Sequence, residues 1–119
     1  MFGNPEMTER TVFRVQPLDA ALGAEIVDLD LSRPLDDETF AAVHRAFLES
    51  NGLLVFRAQY ITPEQHIEFS RRFGPLMIHV LRQYLLPGHP EILRVSNVIE
   101  NGVPIGLGDA GAIWHSDLS

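Results

Sequence analysis

Residues 36–57 read DDETFAAVHRAFLESNGLLVFR, and this stretch decides the fold class. Asp36 can cap a helix whose first turn carries Asp37 and Glu38, where the positive end of the helix dipole favours acid. Phe40, Val43 and Phe47 then repeat at helical spacing, and Asn51-Gly52 supplies a left-handed stop. Residues 53–57 do not alternate and are apolar through Phe56, which predicts a short central strand. With the elements on either side, helices early and strands late, the whole reads as α+β.

Working outward, Thr62-Pro63-Glu64-Gln65 combines an N-cap threonine, proline at the first helical position and glutamine at the third, which is a capping box. It predicts a second helix, with Phe69 and Phe73 one turn apart and Gly74-Pro75 at its end. Upstream, residues 11–15 are rich in β-branched and aromatic residues and read as a strand. Residues 23–31 alternate, with Ile26, Asp28 and Asp30 on one side and Val27, Leu29 and Leu31 on the other, which predicts a half-buried strand ended by Ser32-Arg33-Pro34. Downstream, 92–96 reads as a strand, Asn101-Gly102 as a hairpin turn, the glycines from Gly102 to Gly111 as a loop, and 112–118 as a final strand. Residues 1–10 are expected to be disordered.

Composition narrows the function. The 119 residues are 45% hydrophobic and 21% charged, as in ordinary globular chains, and suffice for one small domain. No apolar run approaches the ~20 residues of a spanning helix, and no secretory signal is visible. Without cysteine there is no disulfide, thiolate zinc site or thiol catalysis, and the cytoplasm is the expected compartment. Nine arginines face sixteen acidic residues for a net charge of -7, the wrong balance for nucleic acid or anionic membranes.

The residues with chemistry to offer are at 114–117, Trp114-His115-Ser116-Asp117. If 112–118 is extended, His115 and Asp117 project from one face and could hold one metal ion, with Trp114 packed in the core on the other. A second histidine would complete a two-histidine, one-carboxylate triad with three open positions, suited to Fe(II) or Zn(II). Alone the signal is weak, since five histidines and seven aspartates give about 0.3 such triplets by chance. The plainer reading packs His115 at a strand end and leaves Asp117 to cap a turn. His44, His66 and His89 read as structural or solvated.

Six blocks occur in order: Gly23-Ala24-Glu25-Ile26, Leu31-Ser32-Arg33-Pro34-Leu35, residues 53–57, Ile61-Thr62-Pro63-Glu64-Gln65, Arg72-Phe73-Gly74 and Trp114-His115-Ser116-Asp117. Together they resemble the amino-terminal part of the taurine dioxygenase (TauD/TfdA) family. The resemblance implies an Fe(II)- and 2-oxoglutarate-dependent dioxygenase on a double-stranded β-helix, or jelly roll, with two early helices packed on the sheet. It makes His115 and Asp117 the first two iron ligands. A carboxylate at Asp117 implies hydroxylation, since halogenating relatives lack it. The implied reaction hydroxylates a small anionic substrate with dioxygen and releases succinate and CO2. His79 matches a substrate-contacting histidine, and its other reading is a solvent-exposed loop residue. Arg82 stands where the taurine enzyme has tyrosine, with Tyr84 two residues on, and could pair with an anionic group. Gly111 replaces an expected asparagine, so taurine itself is disfavoured. Asn97 could line the pocket or simply occupy a turn.

The family's second iron histidine and its 2-oxoglutarate arginine have no counterpart here. Residues 1–119 are therefore expected to be the amino-terminal portion of a dioxygenase domain, inactive alone. The alternative is a non-catalytic remnant that acts as an oligomerising or interaction module, and a homo-oligomer fits either reading. A zinc-dependent hydrolase using the same two ligands has no further motif behind it.

Overall fold

The computed structural model describes residues 13–116. The expectations for residues 1–10, for 11–12 of the first strand and for 117–118 lie outside the described residues. Two compact units divide the chain, Met1–Gly74 and Pro75–Ser119.

In the first unit, β1 (Arg14–Pro17) pairs antiparallel with β2 (Ala24–Val27), and β3 (Leu54–Val55) pairs parallel with β2. The order β1-β2-β3 makes β2 the central strand. This corrects the expectation for 53–57, of which only two residues pair, at the sheet's edge among the described residues. Apolar content alone does not say which strand lies in the middle. The alternation of 23–31 also breaks early. Asp28 turns left-handed at φ 68°, which shifts the phase so that Ile26, Leu29 and Leu31 are all buried.

Helix α1 (Asp37–Glu49) begins at Asp36, whose carboxylate accepts from the Thr39 amide at 2.7 Å. It stops at Asn51 (φ 60°) and Gly52 (φ 85°), with the Gly52 amide donating to the Phe47 carbonyl at 2.9 Å. Helix α2 (Pro63–Arg71) carries the complete capping box. The Gln65 amide donates to Thr62 Oγ1 and the Gln65 side chain accepts from the Thr62 amide. Val43 is fully buried, and with Phe13, Ile26, Leu29, Leu31 and Ala46 it forms the core. Phe69 and Phe73 meet edge to face at 5.4 Å, and each also packs on Phe40.

Two loop contacts brace this unit. Gln59 accepts from the Leu31 amide and donates to the Leu29 carbonyl, both at 2.9 Å, so one amide satisfies the backbone beyond the strand's break. Arg72 Nη1 donates to the Leu35 carbonyl at 2.7 Å and Nη2 to Asp37 at 3.1 Å, with the guanidinium 4.7 Å from the Phe40 ring centre.

The second unit holds two antiparallel pairs. A 3-10 turn (Arg82–Tyr84) leads into β4 (Leu85–Leu86), which pairs with β5 (His89–Leu93). Strand β5 thus lies ahead of the expected 92–96. The expected Asn101-Gly102 hairpin joins β6 (Ile99–Glu100) to β7 (Val103–Pro104), with both turn residues left-handed. Val95 bridges Leu107 in parallel, and Gly106 lies against the crossing so closely that a Cβ would meet the Ser96 nitrogen at 2.9 Å. No strand forms over 112–116, contrary to expectation. A turn from Asp109 to Ala112, with Gly111 at φ 80°, occupies the approach instead. No helix among the described residues is long and apolar enough to cross a membrane.

Candidate metal centre

His115 follows that turn on exposed chain. Its Nδ1 lies 2.8 Å from the Ile113 carbonyl oxygen. A carbonyl can only accept, so Nδ1 is the donor, and the neutral form of the ring keeps its metal-binding lone pair on Nε2. This is the backbone-anchored imidazole arrangement common among metal-bound histidines. One imidazole nitrogen so oriented fits a divalent iron or zinc ion. Asp117 lies outside the described residues. Trp114 is fully exposed, which corrects its expected place in the core, since without a strand at 112–116 it has no sheet face to turn into. Among the described residues, no group of three or more His, Cys, Asp or Glu side chains gathers around a metal position.

His79 is half-buried, and its Nδ1 accepts from the Leu81 amide at 3.0 Å. The opposite tautomer results, with the neutral ring presenting Nε2–H as a donor. Arg82 is exposed at the start of the 3-10 turn, its own amide donating to the Val80 carbonyl at 2.9 Å. Asn97 is exposed beside the 94–107 crossing, where the Val98 amide donates to Ser96 Oγ at 3.1 Å. His79 and Arg82 therefore share one short segment, while Asn97 and His115 stand on two others. Of the remaining histidines, His44 is exposed and stacks on Phe40 with ring centres 6.1 Å apart.

What fixes the two imidazoles is backbone, the Ile113 carbonyl and the Leu81 amide, each two residues away in sequence. Such partners leave no mark in residue identities. Charge perturbation lies elsewhere, in the first unit. Hydrogen bonds from Ser32 hold Asp30 below the usual carboxylate range, and those from Thr39 do the same for Asp36.

The family model of the taurine catabolism dioxygenase TauD, TfdA family matches residues 14–119. The chain belongs to that family. An (S)-phenoxypropionate/alpha-ketoglutarate-dioxygenase from Sphingobium herbicidovorans is 38% identical over 106 residues, covering 88% of this chain and 35% of that enzyme. A crystal structure of a taurine dioxygenase from Burkholderia xenovorans superposes with a TM-score of 0.63 at 34% identity, over 76% of this chain and 32% of that one. AAD-2, solved with Mn(II) and N-oxalylglycine, superposes with a TM-score of 0.51 at 29% identity, over 55% and 23%. This TauD/TfdA chain thus spans about a third of the length of the curated relative. The Sphingobium and Burkholderia proteins are dioxygenases by name, and with the family match the resemblance read from the six blocks holds.

Proposed function

We propose that this chain supplies the first two metal ligands, His115 and Asp117, of an Fe(II)/2-oxoglutarate-dependent dioxygenase that hydroxylates a small anionic substrate. One observation carries the reading. Within the family match, His115 Nδ1 is engaged by the Ile113 carbonyl, which leaves Nε2 as the nitrogen to offer a metal. Residues 1–119 are then the amino-terminal portion of a jelly-roll dioxygenase domain, with α1 and α2 on its sheet. Bound ferrous iron supplies the coupling of dioxygen reduction to decarboxylation of 2-oxoglutarate, with release of succinate and CO2, and to hydroxylation.

The chain's own residues bind and orient. His79 donates its Nε2–H to a substrate oxygen, Arg82 pairs with an anionic group, and the Asn97 amide lines the pocket. The phenoxypropionate and taurine named for the relatives are both small acids, which agrees with that polarity. A cytoplasmic enzyme without nucleic-acid or membrane partners, assembled as a homo-oligomer, suits the acidic, cysteine-free sequence.

Anaerobic titration of the purified chain with Fe(II), followed by calorimetry, tests the site. One weakly bound ion per chain is expected, lost in His115→Ala and in Asp117→Ala and retained in His44→Ala. Equal binding by His115→Ala overturns the assignment. Two protein ligands hold iron loosely, so the chain by itself is expected to form no succinate from 2-oxoglutarate. Succinate formation by the purified chain overturns that expectation.

A second reading, an interaction module without catalysis, draws on the apolar exposure of the second unit, where Val80, Ile113 and Trp114 are each more than three-quarters exposed. A stable dimer indifferent to Fe(II) in sedimentation favours it.

A further inference from the structure

We propose that Asn101-Gly102 is a site of spontaneous deamidation, and that the fold protects the identical dipeptide Asn51-Gly52. In this reaction the Gly102 amide nitrogen gives up its proton to solvent and attacks the Asn101 side-chain carbonyl carbon. A new carbon–nitrogen bond closes a five-membered succinimide as the side-chain nitrogen leaves as ammonia. Water then opens either ring carbonyl to give aspartate or isoaspartate. The net change is one water consumed and one ammonia released, with no oxidation or reduction. The requirements are a following residue without a side chain, access for water, and a backbone that can swing the amide onto the carbonyl.

Both Asn-Gly pairs meet the first requirement, and both asparagines are left-handed, Asn51 at φ 60° and Asn101 at φ 53°. They differ in what holds them. Asn51-Gly52 ends a thirteen-residue helix, and the Gly52 amide that would attack is already donated to the Phe47 carbonyl at 2.9 Å. The segment is tied to the sheet on either side. Gly23 donates to the Ser50 carbonyl and Ala24 to the Leu53 carbonyl, both at 3.1 Å. Freeing Gly52 therefore means opening the helix end together with its junction to β2.

Asn101-Gly102 sits at the tip of a hairpin with two paired residues on each strand, and all six residues from Ile99 to Pro104 are exposed. Pro104 brings no N–H to the ladder. Behind these two pairs the Ile105 amide donates to the Val98 carbonyl at 3.2 Å and the strands run into the 94–107 crossing, but the tip itself rests on a ladder too short to be firm in water, so the turn opens often while the rest of the chain stays folded. Deamidation adds a negative charge next to Glu100. Isoaspartate also inserts an extra backbone carbon, which the two-residue turn between Glu100 and Val103 cannot absorb without losing its pairing.

The test uses the whole chain, aged at mildly alkaline pH and mapped with trypsin and mass spectrometry. The two pairs fall in different peptides, 46–57 and 95–119, because arginine is the only basic residue and stands at 45, 57 and 94. In folded protein, 95–119 is expected to gain the amide-to-acid mass at least about tenfold faster than 46–57, with fragmentation placing it at Asn101 rather than Asn97. In urea the two rates should converge. Equal rates in the folded chain, faster reaction at Asn51, or an unchanged ratio in urea each overturn the proposal.

Discussion

Replacing Arg72 by alanine removes three interactions whose costs the structure separates. The Asp37 carboxylate it meets is fully solvated, so that ion pair contributes a few tenths of a kcal/mol and is screened by salt. The bond to the Leu35 carbonyl is short, charge-assisted and partly buried, and its loss costs about 1.5–3 kcal/mol. The stack on Phe40 adds about 0.5–1 kcal/mol. The three share one side chain and do not simply sum. Arg72→Ala is therefore expected to destabilise the first unit by about 2–3 kcal/mol, a large share of a small domain's stability. Arg72→Lys keeps the charge but not the planar fork, and should recover less than half. Urea unfolding followed by far-UV circular dichroism, in low salt and in about 1 M salt, reads the outcome. The penalty should persist at high salt, while Asp37→Ala should cost under about 0.5 kcal/mol. If Asp37→Ala costs as much as Arg72→Ala, or salt erases the penalty, the surface ion pair dominates and the reasoning is wrong.

Thr62→Ala removes the side-chain half of the capping box and should cost about 1 kcal/mol, with Thr62→Ser within a few tenths, both read as unfolding midpoints. The Asp36 carboxyl is held low by the Thr39 hydrogen bonds, so its stabilisation is complete above the ordinary carboxylate range and fades as pH falls through the depressed folded value. Asp36→Asn should flatten that acid slope in thermal midpoints measured against pH. Asp30, held low by Ser32, leaves a residual slope, and an unchanged slope in Asp36→Asn counts against the assignment. Gly106→Ala forces a Cβ against Ser96 and the Arg94 carbonyl, and should destabilise the 94–107 crossing by about 1–3 kcal/mol. Hydrogen exchange at the Ser96 and Leu107 amides, both bonded across it, should speed up accordingly.

The parts of the fold legible in the sequence are those whose determinants are local. Asp36, Thr62 and Gln65 announce helix starts because a side chain bonds to an amide three residues away, and Asn-Gly announces a left-handed pair, a helix stop at 51–52 and a hairpin turn at 101–102. Strands depend on partners distant in sequence, and there the reading slips. The 23–31 pattern is blind to the left-handed Asp28, an accommodation that lets Leu29 and Leu31 join Ile26 in the core. The apolar run 53–57 reports burial correctly in Leu54 and Phe56, which pack on the core, but burial by a helix layer looks the same in sequence as a central place in a sheet.

The candidate site divides in the same way. His115 and Asp117 are legible as residue types at a spacing, and the family match extends over both. The proposed strand that aligns them is not there over 112–116, because alternation in a sequence specifies a strand only where another strand can pair with it. The orientation of His115 comes instead from the Ile113 carbonyl, two residues back, a contact that needs no strand. That local bond fixes which nitrogen carries the lone pair whether or not the segment later pairs. His115 can thus be chemically prepared as a ligand while Trp114 and Ile113 still lie open to solvent. The tautomer of a neutral imidazole is set within a few residues, whereas assembly of a complete coordination sphere is a long-range event. The first is visible in this chain, and the second is what iron binding would report.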